Sequence, residues 1–106
     1  MAINGQITRT DDDALTGWIA SLTFDVAITL TPNPHKTKDV HPDYEITGKS
    51  PAGRYIRIGS AWEQTSRAGK DYLSLSIKVN GQDVRVNALR TDEDPEGEYR
   101  LVPLAG

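Results

Sequence analysis

Leu73, Leu75, Ile77 and Val79 alternate without a break against Tyr72, Ser74, Ser76 and Lys78. That period of two belongs to a strand with one buried and one wet face, and no helix can present it. The same constraint recurs along the chain. Upstream, Ile56, Ile58, Ser60 and Trp62 fall on one parity, and Tyr55, Arg57, Gly59, Ala61 and Glu63 on the other. Between the two runs, Ser66-Arg67-Ala68-Gly69-Lys70 has the composition of a turn, so Gly59 to Ile77 reads as one β-hairpin. Downstream, Asn80-Gly81 separates Ile77-Lys78-Val79 from Val84-Arg85-Val86, the strongest short-range hairpin signal, because a type I′ turn needs positive φ at both central residues.

The rest of the chain continues the pattern. Ile3 to Arg9 predicts a first strand and Thr10 to Asp13 an acidic turn. From Gly17 to Thr31, Trp18, Ala20, Leu22, Phe24, Val26, Ile28 and Leu30 share one parity, which predicts a long half-buried strand. It exceeds the usual strand length, so a bulge or bend is expected near Ala20 to Leu22, splitting it in two. Thr31 to Val40 has two prolines and no periodicity and reads as a mobile loop. Asp43 to Thr47 predicts a short strand, Gly48 to Gly53 a turn, Asp92 to Gly97 an acidic turn, and Glu98 to Val102 a last strand that Pro103 either confines to a sheet edge or ends. No segment has a helical period. The expectation is a single all-β domain over residues 1–106, with about six to eight antiparallel strands in a small barrel or sandwich.

With 106 residues the chain has room for one modest core. It contains no cysteine, which removes disulfides, thiolate nucleophiles and cysteine-based zinc sites. Met1 to Gly5 lacks the basic and apolar segments of a signal peptide, and no apolar run nears the roughly 20 residues that span a bilayer. A cytoplasmic protein that uses no membrane is expected.

The net charge of −3 is unevenly spread. From Lys49 to Arg90, eight basic residues (Lys49, Arg54, Arg57, Arg67, Lys70, Lys78, Arg85, Arg90) stand against three acidic ones (Glu63, Asp71, Asp83), and the acidity lies at the two ends. Tyr55, Arg57, Trp62, Arg67, Lys70, Tyr72, Lys78 and Arg85 form the candidate binding set. Bases of single-stranded DNA or RNA stack on Tyr or Trp while Lys and Arg follow the phosphates. The competing reading makes Trp62 core, by its parity with Ile56 and Ile58, and leaves Tyr55 and Tyr72 as cross-strand partners among solvated charges. A second class of function is a protein-interaction module, a homodimer or an inhibitor of a host factor, using the sheet edge at the last strand or the acidic segment Asp92 to Glu98.

No catalytic set is visible. There is no Gly-rich phosphate loop and no Ser-His-Asp arrangement, and Thr65-Ser66 reads as a turn whose hydroxyls bond the local backbone. His35 and His41 lie near Asp39 and Asp43 at a spacing that matches no metal cage, and the three aspartates at 11–13 lack the Gly and Glu of a calcium loop. The expectation is a non-enzyme with no cofactor and no metal.

Ile58 to Ser74, with Pro42-Asp43-Tyr44 upstream, also resembles the bacterial domain of unknown function 736 family, whose members are about this long. The family's core is Gly-x-Ala-Trp followed by Thr-Ser-x-x-Gly-x-Asp-Tyr-Leu-Ser, present here as Gly59-Ser60-Ala61-Trp62 and Thr65 through Ser74. Thr8 to Gly17, Leu22 to Pro32 and Asn87-Ala88-Leu89 resemble other family strands, so the likeness spans nearly the whole chain. Two features depart from it: Asn80-Gly81 replaces a loop containing Asp-Asp-Pro, and Leu101 to Leu104 lacks the family's late Trp. The resemblance implies a small protein of plasmids, integrative elements and phage-like regions, with no established activity.

Overall fold

The computed structural model describes residues 3–10, 13–79, 81–90 and 97–103. Eight strands follow in chain order: β1 (Asn4–Arg9), β2 (Leu15–Ala20), β3 (Asp25–Pro32), β4 (Tyr44–Lys49), β5 (Tyr55–Thr65), β6 (Asp71–Val79), β7 (Gln82–Leu89) and β8 (Glu98–Pro103). Each pairs antiparallel with the next, and β8 returns to β1, closing an all-β barrel, with no helix among the described residues. The core is its interior. Ile7, Leu15, Ile19, Ile28, Leu30, Ile46, Leu75, Ile77 and Val86 are fully enclosed, and among the described residues no polar or charged side chain is buried. Eight strands leave an interior just wide enough for such side chains to fill.

Closure changes the status of the last strand. Expected at an edge or ended by Pro103, β8 instead pairs with β7 from Arg100 opposite Leu89 to Pro103 opposite Val86, and with β1 through Glu98, Tyr99 and Arg100. Pro103 lies past the β1 pairing, opposite Val86, so its missing N–H leaves no gap in the β1 ladder.

The expected split near Ala20 to Leu22 is a full reversal. Ala20 faces Asp25, and the Ser21 N–H donates to the Phe24 carbonyl at 2.7 Å. The shared parity expected for the two halves does not survive it. An even-length loop places directly opposed residues on opposite parities, so β2 points Leu15 and Ile19 inward while β3 points Ile28 and Leu30 inward. Trp18 is consequently 41% exposed, and Leu22, at the turn, is fully exposed.

A second slip occurs in β5. Ile46 faces Gly59 but Thr47 faces Arg57, so Ile58 is an extra residue in a β-bulge. On the Thr65 side of the bulge Gly59, Ala61 and Glu63 point inward, opposite Ile77, Leu75 and Leu73. The expectation that these three share a face with Tyr55 and Arg57 is therefore corrected. The Asn80-Gly81 hairpin is closed by Val79 opposite Gln82, with Gly81 at φ 75°. Asn80 lies outside the described residues, as do positions 11–12 and 91–96 of the two acidic turns.

Candidate functional site

The bulge at Ile58 decides which side chains meet on the outer wall. With one residue added, Tyr55 and Arg57 rotate onto the same face as Ser60, Trp62 and Gln64. Register then sets Trp62 beside Ser74, Ser60 beside Ser76, Ser76 beside Arg85, and Lys78 beside Asp83. Six of the eight predicted site residues, Tyr55, Arg57, Trp62, Tyr72, Lys78 and Arg85, therefore share the outer face of β5, β6 and β7. Trp62 is not core. It is half-buried on the outer wall, its indole N–H donating to the Val40 carbonyl at 3.1 Å.

Between these residues lies a shallow depression of about 480 Å³, walled by Arg57, Trp62 and Lys78. Its floor is low because Gly59, Ser60 and Ser76 are small. Arg57 reaches Ser60 Oγ at 3.3 Å and the Glu45 carboxylate at 3.8 Å, a pair open enough to solvent to be weakly held. The Lys49 ammonium lies 6.0 Å from the centre of the Tyr55 ring, at the outer limit of a cation–π contact. Across the outward positions of β4 to β7, Lys49, Arg57, Lys78 and Arg85 face only two carboxylates, Glu45 and Asp83. Glu63 and Asp71, counted against the basic segment in the sequence, point to the inner side of the wall and so do not oppose this face.

Arg67 and Lys70 lie apart from the depression, exposed in the β5–β6 turn, where the Lys70 N–H is bonded to Ser66 Oγ and Ser66 N–H to the Lys70 carbonyl. Thr65-Ser66 acts on its own turn, as its position suggests: Thr65 Oγ1 donates to Asp71 Oδ1 at 3.1 Å. In the β3–β4 connection, His41 Nδ1 accepts the Thr37 N–H at 3.2 Å, and Asn33 bonds the Pro42 carbonyl and the His35 N–H. The His41 ring thus orders its own loop, whereas His35 takes part through its backbone N–H. Asp43 anchors it to the barrel through the Lys36 ammonium and the Glu63 N–H, at 2.7 Å for the latter. Burial pushes the Asp43 carboxyl up, but those two donors outweigh it and hold the pKa below the ordinary value.

One polar constellation escapes the sequence reading. At one end of the barrel Arg9, Tyr44, Glu63 and Tyr99 occupy inward positions, where the alternation calls for apolar residues. The Tyr44 and Tyr99 hydroxyls lie beside the Arg9 guanidinium and raise its pKa, and Tyr44 donates to Glu63 Oε1 at 3.4 Å. The available signal is the parity of Gly5, Ile7 and Arg9, which sets an arginine in line with the core.

The model of a family described as "Protein of unknown function (DUF736)" matches residues 3–102, nearly the whole chain. No curated protein and no solved structure matches it.

Proposed function

We propose that this chain, which belongs to the DUF736 family, is a non-catalytic module that binds single-stranded nucleic acid on the outer face of β5, β6 and β7. The observation that carries the reading is the depression walled by Arg57, Trp62 and Lys78, with Tyr72 and Arg85 on the same surface. Its low floor admits a flat ring against Trp62, and the cations around it are spaced along two strands rather than gathered at one point. Face-to-face stacking contributes roughly 1–3 kcal/mol per base, and phosphate contacts add a salt-dependent, sequence-tolerant term. β5 from Tyr55 to Gln64 extends roughly 30 Å at strand rise, enough for a run of several nucleotides.

Fluorescence anisotropy with labelled single- and double-stranded oligonucleotides at low and moderate salt tests this. The expected result is tighter binding of the single strand that weakens with salt and weakens again in Arg57→Ala, Lys78→Ala and Trp62→Phe. Equal affinity for duplex, or affinity unchanged in these variants, sinks the proposal.

A protein partner is the second reading, and a different observation favours it. β5 pairs with β6 only from Gly59 onward, so among the described residues Tyr55 to Ile58 have β4 on one side and no paired strand on the other. Tyr55 is 70% and Ile56 54% exposed beside that short open edge, where an extended segment or a second copy can add. Light scattering across a concentration series checks self-association, and a strictly monomeric Ile56→Lys variant of an associating protein would place the contact at Ile56.

A further inference from the structure

The polar mouth of the barrel is a second concave site, on the inner side of the wall that carries the depression. It measures about 370 Å³ and is lined by Arg9 and Tyr99 from β1 and β8, and by Glu63, Thr65, Asp71 and Leu73 from β5 and β6. That volume sits at the small end of ligand sites.

The mouth holds charges of both signs. The ion pairs among the described residues are Lys36–Asp43 and Arg57–Glu45, so Arg9 has no carboxylate partner there and only the phenols of Tyr44 and Tyr99 flank it. In the same mouth Glu63 has one oxygen engaged by Tyr44 at 3.4 Å, and Asp71 has one engaged by Thr65 at 3.1 Å, which leaves the second oxygen of each. A donor fork and a phenol thus share the mouth with two half-engaged carboxylates, the Tyr44 hydroxyl lying between Arg9 and Glu63. A simple anion meeting Arg9 would stand in the field of Glu63 and Asp71, and a simple cation would meet Arg9 as a like charge. A neutral polyol would leave both sets of charges unmatched. A small molecule with a carboxylate at one end and an ammonium at the other makes charge-assisted bonds to both sets, the carboxylate in the bidentate geometry a guanidinium favours.

We propose that this mouth binds a small zwitterion of the α-amino-acid class, its carboxylate on Arg9 and Tyr99 and its ammonium on Glu63 and Asp71. The proposal does not rest on nucleic-acid binding at the outer wall, although Tyr72, which belongs to that wall, also borders the mouth.

The test is a two-dimensional amide NMR titration of the full chain with L-serine, and with propionate and isopropylamine as single-charge probes. Saturable L-serine shifts at Arg9, Glu63, Asp71 and Tyr99 are expected, with both single-charge probes at least about tenfold weaker, the cost of one charge-assisted contact. Arg9→Gln should abolish the L-serine shifts, and Tyr99→Phe, which removes one hydroxyl and keeps the ring and therefore the fold, should weaken them several-fold. Absence of shifts overturns the proposal. So does propionate binding as tightly as L-serine, which would make the mouth an anion site, or unchanged L-serine affinity in Tyr99→Phe together with a folded Arg9→Gln.

Discussion

Gly59 lies so close to the Ser76 backbone that a β-carbon on it would run into the Ser76 carbonyl oxygen. The contact is backbone on one side, so no side-chain rotation relieves it. Gly59 follows the β5 bulge directly and is the first residue of β5 to pair with β6, so the close approach brings the two strands together where their ladder begins. Gly59→Ala is therefore expected to destabilise by about 1–3 kcal/mol, the range for overpacking an interior position. Gly69→Ala makes a useful contrast: nothing lies within 4 Å of a β-carbon there, but φ is +79°, so only backbone strain of about 1 kcal/mol applies. Urea unfolding of the two variants should rank Gly59→Ala as the more damaging, and the reverse order would show that β5 relaxes freely beside its bulge.

Leu22 and Leu30 share a parity in the sequence and occupy opposite environments in the fold. Leu30 is fully buried and Leu22 fully exposed. Leu30→Ala should cost about 2–5 kcal/mol through lost burial and the cavity it leaves. Leu22→Ala should stay within about 0.5 kcal/mol of the parent. Comparable losses in thermal unfolding would mean that the β2–β3 turn packs on the barrel and that the two leucines are not distinguished by the reversal.

That pair shows what the sequence makes legible and what it does not. Alternation identifies strands because most inward positions lie in the apolar core, as in the unbroken series from Leu73 to Val79. It does not locate a reversal when the turn is made of residues that also fit the alternation, and Ser21-Leu22-Thr23-Phe24 carries no Gly, Pro or Asn-Gly signal. The bulge at Ile58 is hidden for a related reason. Ile58 is apolar and the residues that follow it, Gly59, Ser60 and Ala61, are small, so inserting it breaks no visible pattern while rotating Tyr55 and Arg57 onto the face of Trp62. The composition of the outer-wall set was readable from residues alone; its convergence depends on one extra residue. Arg9, Glu63 and Tyr99 meet only through barrel closure, a long-range event that local periodicity does not encode.

Asp43 gives stability a dependence on acid pH. Its folded pKa is lowered because the Lys36 ammonium and the Glu63 N–H outweigh the effect of burial. A carboxyl with a depressed folded pKa contributes stability that is fully present above its unfolded value and is lost as pH falls through the folded one. The ordinary value is 3.8, so the contribution is complete at neutral pH and disappears as the solution is acidified below that value. Asp43→Asn should lower the urea midpoint at neutral pH and match the parent in strong acid. A gap of constant size from neutral pH to strong acid would remove ionisation from the account of this contact.

Arg85 and Tyr72 separate the two components of nucleic-acid binding. Arg85 stands opposite Ser76, without a carboxylate directly across the strand, whereas Lys78 stands opposite Asp83. An arginine that neutralises a phosphate releases about one counterion, so Arg85→Ala should flatten the plot of log affinity against log salt by about one unit. Tyr72→Ala removes a stacking surface and no charge. It should weaken binding by roughly 1–3 kcal/mol at every salt concentration and leave the slope unchanged. Lys78, already facing Asp83, should reduce the slope by less than Arg85. Anisotropy titrations of a short single strand at several salt concentrations measure both quantities at once. If Tyr72→Ala alters the slope while Arg85→Ala does not, the phosphates do not run along β7 and the proposed track on this wall is wrong.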